Sequence, residues 1–115
     1  MNNKALTGKL GEDLAAAYLS GHGYEIVARN YRFKHAEIDI IAKKAKFLIF
    51  VEVKARRSNT FGYPEEAVGK HKVKKVLEAA DQYTYEQKWE GNIRFDIIAI
   101  NTATHEIDHF EDAFY

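Results

Sequence analysis

The sequence predicts one α/β domain: a helix, a three-stranded antiparallel meander, a second helix, then a fourth strand that joins the sheet in parallel. Two observations carry that expectation. The chain has 115 residues, 46% hydrophobic and 13% aromatic, which suits one ordinary domain and is too apolar for a disordered chain. Its apolar residues also switch between helical spacing and strand-like runs along the chain, and that switch is the primary signal of mixed secondary structure.

Residues 3–20 read as the first helix, closed by Gly21 and Gly23. Leu6, Leu10, Leu14 and Ala17 form one apolar stripe at helical spacing, and Gly8, Gly11, Ala15 and Leu19 a second stripe of mostly small residues. Lys9, Asp13 and Ser20 mark the wet side. An interior glycine costs a helix about 1 kcal/mol relative to alanine, so two of them predict a close approach of this helix to a sheet. Glu12 flanks the small-residue side; its spacing fits a solvated acid as well as one near the packed sheet.

Residues 24–28 form the first strand. The stretch 29–35 interleaves Arg29, Arg32 and Lys34 with Tyr31 and Phe33, which suits phosphate contact and base stacking or a plain edge strand. Residues 37–42 and 47–54 form a hairpin about the basic turn Lys43-Lys44-Ala45-Lys46. A loop follows over 55–62. Pro64, Glu65 and Glu66 suit a helix start, and Gly69 interrupts before a longer helix over 70–87. Val73, Val76, Leu77, Ala80 and Tyr83 give that helix its buried stripe. Residues 93–101 form the fourth strand, and 106–110 a short edge strand with an acidic tail.

Lys and Arg total 17, as do Asp and Glu. The last thirteen residues hold four acids and no Lys or Arg, which leaves residues 1–102 with a net charge of +4, His counted as neutral. Neutrality overall argues against coating nucleic acid by bulk charge, while local basic patches still suit phosphates. Absence of cysteine removes disulfides and thiolate metal sites. No apolar run approaches the ~20 residues of a membrane helix, and the N-terminus lacks a signal peptide's apolar segment. The expectation is a cytoplasmic protein with no membrane partner.

The residues that stand out are Glu37, Asp39, Glu52 and Lys54. Positions i and i+2 of a strand share a face, so Glu52 and Lys54 fall together, as do Glu37 and Asp39. Neighbouring strands at matching parity would gather all four. Strands favour β-branched and aromatic residues, so acids and a lysine within them call for a reason. One is an ion-paired sheet edge, worth less than about 1 kcal/mol per pair. The other is Mg²⁺, which accepts one or two carboxylates plus phosphate. Such an ion polarises a phosphoryl oxygen and acidifies water, while Lys54 could orient that water or stabilise the transition state. These are parts for phosphodiester hydrolysis. A nucleophile elbow and a phosphate-cradling Gly-rich loop are both absent.

Around this centre the sequence is basic. Arg56 and Arg57 end the third strand, and Lys70, Lys72, Lys74 and Lys75 crowd the first turns of the second helix. Cations there oppose the helix dipole, a conflict that a phosphate partner would relieve; a solvated lysine face is the alternative. Three weaker candidates remain. His105 and His109 lie four apart in what reads as a frayed tail, His22 sits in a Gly-His-Gly turn, and Asp96 could cap, pair, or face the acidic centre.

Gly8-Lys-Leu-Gly11-Glu12, Tyr18-Leu19, Gly23-Tyr24, Asn30-Tyr-Arg32, Glu37-Ile-Asp39, Phe50-Val-Glu52-Val-Lys54, Phe61-Gly62, Lys72 and Arg94-Phe-Asp96 follow in order. This series resembles the YraN family of small bacterial proteins, which is similar to archaeal Holliday-junction resolvases. The resemblance covers nearly all of residues 8–100 and departs from the family at Ala36, where glycine is usual. It implies one endonuclease-like domain with a restriction-endonuclease-like fold, a mixed β-sheet flanked by α-helices. It also implies a metal-dependent DNA endonuclease using Mg²⁺ or Mn²⁺, with branched DNA among its substrates and a homodimer as its working form. By the same resemblance Asp39 and Glu52 hold the metal, Glu12 from the first helix joins them as a metal residue, and Lys54 serves the water. A silent nucleic-acid-binding module and a protein-interaction adaptor are the competing expectations.

Overall fold

The computed structural model describes residues 3–57 and 70–113, without the side chains of residues 3–7, 70 and 71. Of the loop expected over 55–62, Ala55 and Arg56 are strand instead, and residues 58–62, the Pro64 helix start and Gly69 lie outside the described residues. Helix α1 spans Asn3–Gly21. Strands β1 (Glu25–Phe33), β2 (Ala36–Lys44) and β3 (Phe47–Arg56) follow as an antiparallel meander. Helix α2 (Lys70–Gln87) leads to β4 (Asn92–Asn101), which pairs parallel to β3, and β5 (Ile107–Phe110) closes the far edge antiparallel to β4. Spatial order is chain order, β1-β2-β3-β4-β5. This mixed sheet with two helices is consistent with the restriction-endonuclease-like fold.

Among the described residues each face of the sheet carries one helix. Ala15 and Leu19 of α1 are fully buried against Ile40, Ala42, Ile49, Val51, Ile98 and Ile100. On the other face Val76, Ala79, Ala80 and Tyr83 of α2 pack on Ile38, Ile41, Leu48, Phe50, Phe95 and Ile97. Strand alternation explains both sets: within β3, Leu48 and Phe50 go to α2 while Ile49 and Val51 go to α1.

The small-residue stripe of α1 is the one most deeply buried, with Leu14 of the larger stripe only partly buried beside it. Gly11 is buried with Ala15 and Leu19, whereas Leu10 of the larger apolar stripe is 41% exposed. A Cβ at Gly11 would lie 2.5 Å from the Ala55 Cβ. Neither atom belongs to a flexible side chain, so helix or strand must move. Gly8, by contrast, meets nothing within 4 Å, and its cost has no packing return. Gly11→Ala is expected to lower stability by about 1–2 kcal/mol, overpacking outweighing the gain in helix propensity. Urea unfolding reads the loss, and adding Ala55→Gly should restore most of it; a Gly11→Ala protein as stable as the parent would contradict the contact.

One irregularity decides where the acids go. Asn30 and Asp39 face each other between the pairs Arg29↔Ile40 and Tyr31↔Ile38, and Asn30 has φ 53°. That left-handed conformation is tolerated by asparagine better than by most residues. Alternation breaks on both strands there. In β2, Ile38 and Ile41 pack towards α2 but Ile40 and Ala42 towards α1. The expectation that Glu37 and Asp39 share one face of an unbroken strand is therefore corrected. Ala36 takes no positive φ; Lys34, at φ 57°, makes the turn instead.

Candidate active site

β2 and β3 part at the site. Their ladder runs from Lys44↔Phe47 to Ile40↔Val51 and stops, while β3 stays paired with β4 as far as Arg56↔Asn101. Beyond Val51, the β2 side of β3 has no ladder partner among the described residues, and the Asp39 side chain supplies an acceptor: the Val53 N–H donates to Asp39 Oδ2 at 2.8 Å. This follows from general accounting, since a buried backbone donor needs an acceptor. The parting strands leave a seam into which groups from both faces of the sheet reach.

Glu52 stands on the α2 face of that seam, 6% exposed. Its Oε2 accepts a hydrogen bond from Lys72 Nζ and lies 3.5 Å from Lys54 Nζ. The shared face of Glu52 and Lys54 is thus as the strand period demands. From the α1 side comes Glu12, carried to the sheet by the close approach at Gly11. Glu12 Oε1 is 3.5 Å from an Arg29 guanidinium nitrogen, which also bonds Asp13 at 2.8 Å. Asp39 lies between the two groups. Burial first, then the negative charges of Glu52 and Glu12, push its carboxyl up to about 7, against the Val53 hydrogen bond and the charge of Lys72. A carboxyl raised this way beside a second carboxylate marks a place where a cation is favoured.

The structure brings Asp39, Glu52 and Lys54 together with Glu12 alongside. It takes Glu37 away: Glu37 bonds its cross-strand partner Arg32 at 3.1 Å, because the break at Asp39 separates the two acids. Lys72, expected as a phosphate contact, is inside the cluster on Glu52. Lys74 and Arg57 are exposed, Lys75 and Arg56 half-buried, and the Lys70 side chain lies outside the described residues. Of the basic-aromatic stretch 29–35, residues 29–33 complete β1 as an edge strand and Lys34 and His35 form the exposed turn, while Arg29, Tyr31 and Phe33 are engaged within the protein. Arg29 bonds Asp13, the Tyr31 hydroxyl donates to Glu86, and Phe33 packs against the core.

Among the described residues no three His, Asp or Glu side chains gather into a metal cage. Two carboxylates, one of them pushed up to about 7 by burial and then by the charge of the other, do not suit Zn²⁺ or a many-oxygen Ca²⁺ site. They fit Mg²⁺ or Mn²⁺, which fills its remaining positions with water and substrate oxygen. Asp39 and Glu52 are the residues that could hold such an ion.

A second ionic centre lies on the α1 face, away from the seam. Asp96 is fully buried. Arg94 grips it with two hydrogen bonds, Nε to Oδ1 at 2.9 Å and a terminal nitrogen to Oδ2 at 2.8 Å. His109 Nε2 is 2.7 Å from Oδ2, and the Asp112 N–H donates to Oδ1. Burial alone would raise this carboxyl; the bonds from His109, Arg94 and Asp112 overrule it and hold the group below its ordinary value. An ionised Asp96 requires the proton on His109 Nε2. His109 side chain, 8% exposed, belongs to β5 rather than to a frayed tail. The sequence carries only the short spacing Arg94-x-Asp96 as a signal for this centre.

Comparison with known proteins gives a consistent picture. The model of a family described as uncharacterised protein family UPF0102 matches residues 11–100. A UPF0102 protein of Chlorobium phaeobacteroides is 45% identical over 95% of this chain and 93% of its own length. One from Flavobacterium psychrophilum is 46% identical, covering 94% of this chain and 92% of the relative. Another, from Bacteroides thetaiotaomicron, is 46% identical over 94% and 91%.

Proposed function

Since the chain belongs to the uncharacterised UPF0102 (YraN) family, we propose a function read from its own site: metal-dependent hydrolysis of DNA phosphodiester bonds. The observation that supports it most is Asp39 placed beside Glu52 and Lys54 at the open seam, with its carboxyl pushed up by their common burial. Asp39 and Glu52 would hold Mg²⁺ or Mn²⁺, which when bound supplies Lewis acidity to the phosphoryl group and acidifies water. Lys54 Nζ, on the Glu52 face, orients the water and meets the charge that grows on the phosphoryl oxygens. Water oxygen bonds to phosphorus as one ester P–O bond breaks, the water giving up a proton and the departing oxygen taking one up from solvent. Glu12 keeps the α1 side of the seam acidic and fixes Arg29. Arg56, Arg57, Lys70, Lys74 and Lys75 offer contacts to flanking phosphates.

A second reading has its own observation. Lys72 and Lys54 both address Glu52 Oε2, so the centre can neutralise itself as an ion-paired structural knot in a DNA-binding module. Cleavage of labelled single-stranded, duplex and four-way-junction DNA with Mg²⁺ or Mn²⁺ separates the two. The expected result is metal-dependent cutting reduced by about 10²-fold or more in Asp39→Asn and Lys54→Ala, a range typical of losing one electrostatic group. DNA binding by Lys54→Ala should persist and weaken steeply with salt. Wild-type protein that binds DNA but cuts none of the substrates under either metal leaves the binding module; protein that neither binds nor cuts overturns both readings.

A further inference from the structure

We infer that Lys72 is a tethered competitor for the divalent-cation site, holding Glu52 in the ion-free protein and releasing it when the ion arrives. The inference rests on the metal-centre reading above and goes beyond it, because it gives the site an internal occupant. Glu52 is a buried carboxylate, and a buried charge demands a partner. Lys72 supplies it by a direct hydrogen bond to Oε2. The two ammoniums on that oxygen differ in freedom. Lys54 is on the same strand two residues away and its side chain is 20% exposed; Lys72 comes from another element and is 45% exposed. Its stem can turn to solvent without leaving a buried charge behind.

Position on the helix points the same way. Lys72 stands in the first turn of α2 (Lys70–Gln87), which has no acid there. The helix dipole opposes a cation at that end, so the helix itself does little to hold the ammonium and Glu52 does most. Once a divalent cation neutralises Glu52, that hold weakens and Lys72 is freed beside the seam, where an incoming phosphate is the next available anion. A single lysine thereby keeps the ion-free site folded and becomes a substrate contact in the loaded one.

Two ligands that exclude each other are linked, so removing one tightens the other. Titration calorimetry of Mn²⁺ into the full chain, stripped of metal, tests this with Lys72→Met, Lys72→Gln, Asp39→Asn and, as a control for loss of a distant charge, Lys88→Met. Lys72→Met and Lys72→Gln should bind Mn²⁺ about fivefold or more tightly than wild type, the lower end of ordinary coupling. Their metal-free Tm should fall and their Mn²⁺-induced rise in Tm should grow. Glutamine can still donate to Glu52, so Lys72→Gln keeps the test available if Lys72→Met fails to fold. A purely structural lysine would lower Tm without tightening Mn²⁺. Wild-type binding that is lost in Asp39→Asn yet unchanged in both Lys72 variants overturns the inference alone. Mn²⁺ binding by neither wild type nor any variant overturns it together with the metal-centre reading.

Discussion

Asp96→Ala lowers the stability of this protein by about 3–5 kcal/mol, the range for breaking a buried ion pair from one side. The loss follows from what remains. Arg94, with its side chain only 16% exposed, keeps one hydrogen bond to the Tyr24 hydroxyl and a 3.4 Å approach to Glu111. His109 loses its acceptor, and the Asp112 N–H loses its own. Urea unfolding at neutral pH reads the effect. Arg94→Leu added to Asp96→Ala should cost much less than the sum of the two single changes, since the pair is removed together. Strictly additive losses would show that the two residues act separately. The pH dependence has a fixed sign. Asp96 is held below its unfolded value, so its contribution is complete above that value and is lost as pH falls through the folded one. Wild type should therefore approach Asp96→Ala in acid.

The second large effect runs the opposite way. Asp39→Asn should stabilise the protein at pH 8, by roughly 2–4 kcal/mol, because a folded carboxyl raised by about three pH units carries up to about 4 kcal/mol of linkage. Folding takes up a proton at Asp39 between its unfolded value of 3.8 and its folded value of about 7. The stability allowed by the neutral carboxyl is full below the lower value and disappears as pH rises through the upper one. Asparagine is neutral throughout and its side-chain oxygen can still accept from Val53 N–H. Thermal melts at pH 4 and pH 8 check this: the two proteins should converge at pH 4 and separate at pH 8. Mn²⁺ at pH 8 should raise the Tm of wild type and leave Asp39→Asn nearly unmoved. A variant no more stable than wild type at pH 8 would remove the charge conflict from the account. A residue whose loss strengthens the fold is typical of groups kept for function.

The sequence makes some of this architecture readable and conceals the rest for physical reasons. Element types and order are legible because short apolar runs such as 47–51 and 97–100, bounded by turn signals, are arbitrated as strands by their length. Glu52 and Lys54 are legible as neighbours since strand parity is local. Glu37 is misplaced by the same rule, which assumes an unbroken strand; the break comes from Asn30 at φ 53° on the next strand, and no pattern within residues 36–44 announces it. Lys72 reads as one of several lysines. Its bond to Glu52 joins β3 to a helix 20 residues on, a distance over which spacing carries no information. His109 sits among Glu106, Asp108 and Glu111 and looks solvated, yet its partner Asp96 is 13 residues upstream.

The strand order has a consequence for synthesis. Because spatial order is chain order, each strand can be laid beside the one before it, and none must be inserted between two already in place. The final strand is then the last to arrive on the growing sheet. Until β5 docks, β4 shows an open hydrogen-bonding edge, the kind of surface that recruits other chains, and Asp96 lacks both His109 and the Asp112 N–H. A nascent or truncated chain ending before His109 thus carries a short-paired buried carboxylate at its exposed edge. The second ionic centre is therefore complete only once the chain extends through Asp112.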